Sequence, residues 1–398
     1  MLFVYNAVRF FLYPFLFIAA IFKKKIRIFL HNRFRVEKIN RDKYYWIHLS
    51  SVGEMNLSEK LIENILDNNK KIYLTVMTDT GMELFRKRYS GNPNIKGAYF
   101  PLDDYFLIKK TVNMLDIEKL IIIETEIWPN LYGIVSEKSD VIVVNGRISD
   151  RTFDKYKKLR GIISGTLNKC TRILVQSDLD FQRYKELGVK EDILKVYPNL
   201  KYSIDYPVLD EKQKKELEER VRLNGRKLIT AGSTRDGEEK ILIDIFRRIN
   251  KNNEYQMILV PRHIQRTEEA AELCGGLDFS LYSENKKTEI IIVDKMGILR
   301  ELYQISDLVF VGGTFTNIGG HSILEPLYYG KVPIIGKYYS NIKDVVDSAK
   351  PLNLVNIAET EEELENFFLD SDTGKNRETS EFFKKYNKID EISNEILS

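Results

Sequence analysis

The side chains best equipped for chemistry fall in a few short strings. SSVGE ends in Glu54, ETEIWPN opens on Glu124, and FVGGTFTNIGGHSILEP covers 310–326. A carboxylate beside an attacking hydroxyl can take its proton as a bond forms. Glu54, between an apolar run and an amphipathic one, suits that task, and equally suits an ordinary acid stabilised at a helix N-terminus. Glu124 or Glu126 can likewise cap a helix. The third string strips its backbone bare, and bare amides at a helix start favour an anion such as phosphate. Glu325, just inside that helix, is placed to accept from a ribose diol, or is simply an acidic first turn. Lys201 reads as a cation for developing negative charge or as a solvated linker lysine; His263 and His321 read as loop braces.

Metal chemistry is not expected. The four histidines, His31, His48, His263 and His321, lack ligand spacing, and no CxxC or HExxH occurs. Asp103-Asp104 reads as a solvated turn. Cys170 and Cys274 are too few for a disulfide framework and suit a reducing compartment.

The elements around these strings alternate. YYWIHLS, KIYLTVMT, KLIIIET, DVIVVNG and RILVQS read as strands. Amphipathic patterns such as GEMNLSEKLIENILDN and SDLDFQRYKELG read as helices between them. After a polar linker around 197–225 the pattern restarts with KLITAGS, YQMILVP, EIIIVD, DLVFVGG and VPIIG. Its first helix, DGEEKILIDIFRRIN, is expected to carry a capping box at Asp236 and Glu239. Near-continuous Ile/Val/Leu strands separated by helices indicate α/β domains with parallel sheets covered on both faces. We expect two such domains, 44–203 and 204–380, with a C-terminal tail or helix over 381–398. Ligands of open α/β sheets bind at the carboxyl ends of strands, and SSVGE, ETEIWPN, GST, PRH, DKMG and GGT each follow a strand.

Charge separates the N-terminus from the body. Residues 1–40 hold eight Lys/Arg and one acid, whereas the whole chain is only +3, so the body is acidic and no nucleic-acid partner is expected. Phe10 to Phe22 is an uncharged apolar run, followed at once by Lys23, Lys24, Lys25 and Arg27. As a helix it spans about 20 Å, short of a bilayer core. Counting from Met1 lengthens it but encloses Arg9, at roughly 2.5 kcal/mol or more. Residues 1–35 are therefore expected to anchor the chain to a membrane, as a signal anchor or as an interfacial helix.

Taken in order, SSVGE, TDTG, ETEIWPN, NGRISDRT, NLKY, GSTRDGEE, LVPRH, DKMGILRELY and FVGGT…GGHSILEP resemble the 3-deoxy-D-manno-octulosonic acid (Kdo) transferases. The resemblance implies a GT-B glycosyltransferase, with two Rossmann-like domains facing across a cleft. It implies an inverting, metal-independent enzyme without a cofactor. Its donor would be CMP-Kdo and its acceptor the lipid A precursor (lipid IVA), at the cytoplasmic face of the inner membrane. It assigns Glu54 as general base and Glu124 and Lys201 as transition-state stabilisers. Pro261, Arg262, Met296, Gly297, Ile298, Ser322, Ile323, Leu324 and Glu325 would contact the CMP part. Two positions depart from the family pattern: Ser322 stands where Asn is usual, and Tyr197-Pro198 replace a glycine before the Lys201 loop. The competing readings are a sugar-nucleotide epimerase on the same fold, which needs no membrane segment, and a non-catalytic membrane-tethered nucleotide-binding module, which needs neither Glu54 nor Lys201.

Overall fold

The computed structural model describes residues 2–34, 36, 39–370, 373 and 378–398. The described chain divides into two compact units. One runs to Ile204 and takes in Tyr386–Ser398; the other is Asp205–Lys385. The C-terminal residues thus return to the first unit.

The first unit holds a seven-stranded sheet: β1 (Lys43–Leu49), β2 (Lys71–Val76), β3 (Ile95–Tyr99), β4 (Asp116–Ile123), β5 (Asp140–Gly146), β6 (Arg172–Val175) and β7 (Leu194–Val196). Their order is β3-β2-β1-β4-β5-β6-β7, and all pairs are parallel. The second unit repeats the plan with β8 (Lys227–Thr234), β9 (Tyr255–Pro261), β10 (Phe279–Leu281), β11 (Ile290–Ile292), β12 (Leu308–Val311), β13 (Pro333–Gly336) and β14 (Asn356–Ala358). Here the order is β10-β11-β9-β8-β12-β13-β14, again parallel throughout. Strand order reverses between β1 and β4 in one sheet and between β8 and β12 in the other. Such switch points open a crevice at the strand ends, and the loops carrying SSVGE, ETEIWPN, GSTRDGEE and GGT flank them.

Apolar residues fill both faces of each sheet. In the first unit Trp46, Ile122, Leu131 and Tyr132 pack on one face, and Ile47, Ile121, Leu200 and Ile392 on the other. In the second, Ile229, Phe246, Met257 and Phe310 form one core, and Leu228, Ile258 and Leu302 the opposite one.

Several local expectations change. The helix expected over GEMNLSEKLIENILDN is two, Val52–Leu57 and Glu59–Asp67, broken at the buried Ser58. The polar linker contains an eleven-residue helix, Glu211–Val221, and the capping box lies there, at Asp210 and Gln213. The one expected at Asp236 and Glu239 does not form. Helix Glu238–Ile249 is entered instead from Gly237 at φ 87°, a left-handed turn natural to glycine. Asp103-Asp104 is no solvated turn. Asp103 is buried and accepts from the Asn130 and Leu131 amides at 3.0 and 2.8 Å, capping helix Pro129–Val135. Asp104 caps helix Tyr105–Met114 through the Phe106 and Leu107 amides.

Helix Leu2–Phe22 is long and apolar enough to cross a membrane. One stripe of it is polar and docks on the first unit. Tyr5 donates to Asp103 at 2.9 Å, Asn6 and Asn130 exchange side-chain bonds at 2.9 and 2.8 Å, Tyr13 donates to Asp104 at 3.0 Å, and Arg9 reaches the Asp103 carbonyl. The opposite stripe, with Phe3, Phe10, Phe11, Phe15 and Phe22, is exposed. Met1 and Arg35, the ends of the expected anchor, lie outside the described residues.

Helix Ile389–Leu397 closes the first unit by burying Ile389, Ile392 and Ile396. Ile392→Ala is expected to destabilise that unit by about 2–4 kcal/mol. Both tryptophans of the chain, Trp46 and Trp128, belong to it, so fluorescence during denaturation of the full chain in mild detergent reports it selectively. An unshifted midpoint would show that the helix is not part of the core.

Candidate active site

In the first unit three carboxyls gather after β1 and β4. Glu54 lies in the first turn of helix Val52–Leu57, whose N-cap Ser51 accepts from the Glu54 amide at 3.2 Å. The Glu54 carboxylate in turn accepts from the Ser50 amide at 2.6 Å, the Ser50 hydroxyl at 2.5 Å and the Ser51 hydroxyl at 3.1 Å. It is thus both a helix-start acid and a carboxylate held in one place. Glu124 follows β4 with φ 60°, a left-handed conformation costly for a residue bearing a Cβ. The bend is fixed from outside. The Glu124 amide donates to Val144 O at 2.8 Å, and Thr125 exchanges bonds with the Arg147 backbone. Burial and then the Glu54 charge hold the Glu124 carboxyl above its usual range, opposed by Arg147. Glu126 is pushed up to about 7, chiefly by burial and then by Glu54.

Neither Glu124 nor Glu126 caps helix Pro129–Val135, because Asp103 does. Burial pushes Asp103 itself up to about 6. The floor beneath the cluster is aromatic. The fully buried His48 lies 4.1 Å from Phe100, ring to ring, and its Nδ1 meets the Thr75 hydroxyl at 3.0 Å. Burial holds His48 down to about 3, so this ring is neutral at ordinary pH and adds no charge to the site.

Lys201 sits on the single turn Leu200–Ser203, which packs against the helix of Glu54. Asn145, itself at φ 63°, anchors that turn by accepting from the Leu200 amide at 3.0 Å. Gln176 ties the Asn145 carbonyl to the Asn199 side chain. This bracket holds the loop with Tyr197-Pro198 in place of glycine.

The second unit carries a cationic set. Arg235 donates from Nε to His321 Nε2 at 3.0 Å, and its Nη1 meets His263 Nε2 at 2.9 Å, tying the loops after β8, β9 and β12 together. Burial, then Arg235, Arg262 and His263, hold His321 down to about 4, so its ring is a neutral acceptor. Arg262 is exposed, and its amide is bonded to Thr234 O at 3.0 Å. Both histidines are loop braces in the sense expected. Arg235, which holds them, was not singled out among the site residues in the sequence; its place inside a quoted motif was the only signal.

The bare GGT amides are not left open for an anion. Glu238, 1% exposed, accepts from Gly313 at 2.7 Å, Thr314 at 2.9 Å, Phe315 at 2.8 Å and Arg235 at 2.9 Å, all backbone N–H groups. A Cβ on Gly312 would stand 2.6 Å from Ser233 O and 2.8 Å from a Glu238 carboxylate oxygen. The glycine is therefore required by the approach of this carboxylate. Ser322 bonds its own helix start, accepting from the Leu324 amide at 3.3 Å. Glu325 is paired with Arg300 at 2.9 Å, a cation that also covers the Tyr206 ring. Pro261, Ile298, Ile323 and Leu324 bury their side chains, so a ligand would meet their backbones only. Met296 is exposed, and Gly297 turns at φ 90°.

Two parallel seven-stranded sheets, each with its polar residues at the strand ends beside a switch point, define a GT-B-like glycosyltransferase fold. A glycosyltransferase structure from Rickettsia africae aligns over 90% of this chain and all of its own, with TM-score 0.58 and 14% identity, a likeness of fold. The family model described as 3-Deoxy-D-manno-octulosonic-acid transferase (kdotransferase) matches residues 27–204. The 3-deoxy-D-manno-octulosonic acid transferase of Haemophilus influenzae is 30% identical over 312 residues, 75% of this chain and 72% of that protein. The chain belongs to this family of glycosyltransferase enzymes. A bifunctional glycosyltransferase/methyltransferase of Fusobacterium nucleatum is 42% identical over 371 residues; the match covers 90% of this chain and 57% of that longer protein.

Glu238→Gln would turn an N–H group toward backbone donors. It is expected to cost the second unit roughly 2–4 kcal/mol, read by circular dichroism during denaturation. A change within about 0.5 kcal/mol, the range of neutral surface substitutions, would contradict the role given to Glu238.

Proposed function

We propose that this chain transfers Kdo from CMP-Kdo to the lipid A precursor, with inversion and without a metal. The observation that carries the reading is the Glu54–Glu124–Lys201 set, grouped on one sheet end of the first unit in a chain of this family. Glu54 takes the acceptor hydroxyl proton as the new C–O bond forms at the sugar's anomeric carbon. The electrons of the old bond to phosphate leave with CMP. Charge develops on a single phosphate, with no second phosphate for a metal to bridge, and cations and oriented amides can meet it. Lys201, Arg262 and Arg235 are the cations for that work, and Glu325, held by Arg300, offers an acceptor to the ribose.

The N-terminal helix fits a lipid acceptor. Its exposed aromatic face and the following Lys23–Arg27 cluster would hold the first unit at an anionic leaflet, where the acceptor's sugar head lies. The full chain is expected to pellet with membranes, and a chain starting near Tyr44 to be far more soluble. Equal distribution of the two would remove the anchor.

The direct test incubates purified full chain with CMP-Kdo and lipid IVA and weighs the lipid. A mass gain of one or more Kdo units is expected, and EDTA is not expected to abolish it. No gain, or loss of all activity in EDTA restored by Mg²⁺, contradicts the reading or its metal-free part respectively. Glu54→Gln should lower turnover about 10²–10⁴-fold with CMP affinity nearly unchanged. Near-normal turnover would put the base elsewhere.

A further inference from the structure

Helix Leu2–Phe22 is followed by helix Lys24–Arg33, and the pair folds back on itself as a hairpin with Lys23 at its turn. The Phe34 ring returns to 5.7 Å from that of Tyr13 and 5.4 Å from that of Phe17, centre to centre. Arg33 is buried and donates to the Met77 carbonyl, while its own carbonyl accepts from the Leu102 amide at 3.4 Å. Tyr5, Asn6, Arg9 and Tyr13 fasten the other limb to Asp103, Asp104 and Asn130. Both limbs are therefore tied to the segment 102–104 of the first unit.

We propose that this hairpin lies flat in the interface of an anionic leaflet and does not cross the bilayer. The proposal rests on the membrane-attachment reading and deepens it. A crossing helix would have to draw Tyr5, Asn6, Arg9 and Tyr13 off their partners into hydrocarbon, and would leave the buried Asp103 and Asn130 short of theirs. With that limb docked, the helix runs only about 14 Å beyond Tyr13, less than half of a hydrocarbon core about 30 Å thick. A hairpin entering tip first would lead with Lys23, Lys24 and Lys25, all of them exposed. Laid flat, it sinks Val4, Phe11, Phe15, Ile18 and Phe22, the exposed face opposite the docked stripe, into the acyl boundary. Lys23, Lys24, Lys25 and Arg27 then stand among the headgroup phosphates.

The surface continues onto helix Tyr105–Met114. Asp104 accepts from Tyr13 at 3.0 Å and caps this helix, so its first turn stands beside the docked limb. Phe106 is 78% exposed there, with Tyr105, Lys109 and Lys110 exposed as well, while Ile108 and Thr111 turn inward. Aromatic rings next to lysines suit the boundary between acyl chains and headgroups, and this patch is the second contact of the first unit with the same leaflet. The thickness of one helix, about 10 Å, then separates the start of helix Pro129–Val135 from lipid. That holds the carboxyl loop before it close to the acceptor's sugar head.

The test is the depth of single added tryptophans. Full chain carrying Val4→Trp, Phe11→Trp or Phe22→Trp is bound to vesicles of phosphatidylcholine and phosphatidylglycerol, brominated either near the headgroup or near the bilayer centre. Trp46 and Trp128, both in the folded first unit, supply the background. All three variants should be quenched alike by the shallow bromines and little by the deep ones. Phe11→Trp quenched most by deep bromines, with Val4→Trp and Phe22→Trp shallow, would mean a crossing helix; Phe22→Trp deepest would mean entry by the tip. Either overturns the proposal. Lys109→Gln combined with Lys110→Gln should lower partition onto these vesicles about tenfold and leave binding to phosphatidylcholine alone unchanged; an unchanged partition onto the anionic vesicles overturns the second contact. Failure of the membrane-attachment reading looks different, since the unmodified full chain would then sediment with neither kind of vesicle.

Discussion

A buried carboxylate that collects backbone N–H groups is the interaction on which both units depend. A loop that turns at a strand end presents several amides in one direction, and each costs free energy if buried without a partner. Charge-assisted bonds to one carboxylate answer them together. Glu238 gathers four such amides from two loops. Asp103 gathers two at a helix start, and adds the Tyr5 hydroxyl from the N-terminal helix. Glu54 takes one amide and two hydroxyls. Among the three, Glu238 and Asp103 hold loops and helix starts, and only Glu54 stands beside further carboxyls, those of Glu124 and Glu126.

The consequences reach the site through rigidity and charge. With GGT held by Glu238 and the Asn145–Gln176–Asn199 bracket behind Lys201, loops at the sheet ends have little freedom. Glu124 and Ser233 can then persist at φ 60° and 56°, conformations that an untethered loop would leave. Burial keeps His48 and His321 neutral, so the local fields come from the carboxyl cluster in one unit and from Arg235 and Arg262 in the other. The docked polar stripe of helix Leu2–Phe22 reaches the same helix start that follows Glu126, which ties the apolar N-terminus to the carboxyl loop through Asn130 and Asp103.

The interior strands were legible because strands buried on both faces read as unbroken Ile/Val/Leu runs. The four strands that escaped were β3, β7, β10 and β14, the edges of the two sheets. Three of them are three residues long, and all are partly exposed, so they lack that signal. Candidate residues after strands were legible for the same reason. Their partners were not. Glu238 carries no mark of its own beside the capping box expected at Asp236 and Glu239, and the bare string over 310–326 reads as favouring an anion, because local sequence does not say which carboxylate a folded loop will meet. Asp103 looked solvated because aspartate pairs mostly are; its partners, the amides of residues 130 and 131 and the Tyr5 hydroxyl, are all distant in sequence. Helix Glu211–Val221 buries only Leu217 and Val221, too few apolar positions to mark a helical face inside its run of charges.

Amide hydrogen exchange of the full chain, with and without CMP, tests this view of the site most directly. Capture by Glu238 predicts that Gly313, Thr314 and Phe315 exchange slowly in the free protein and change little when CMP is added. Fast exchange in the free protein, with protection appearing only on CMP binding, would show that these amides are kept for the ligand and that Glu238 does not build the site.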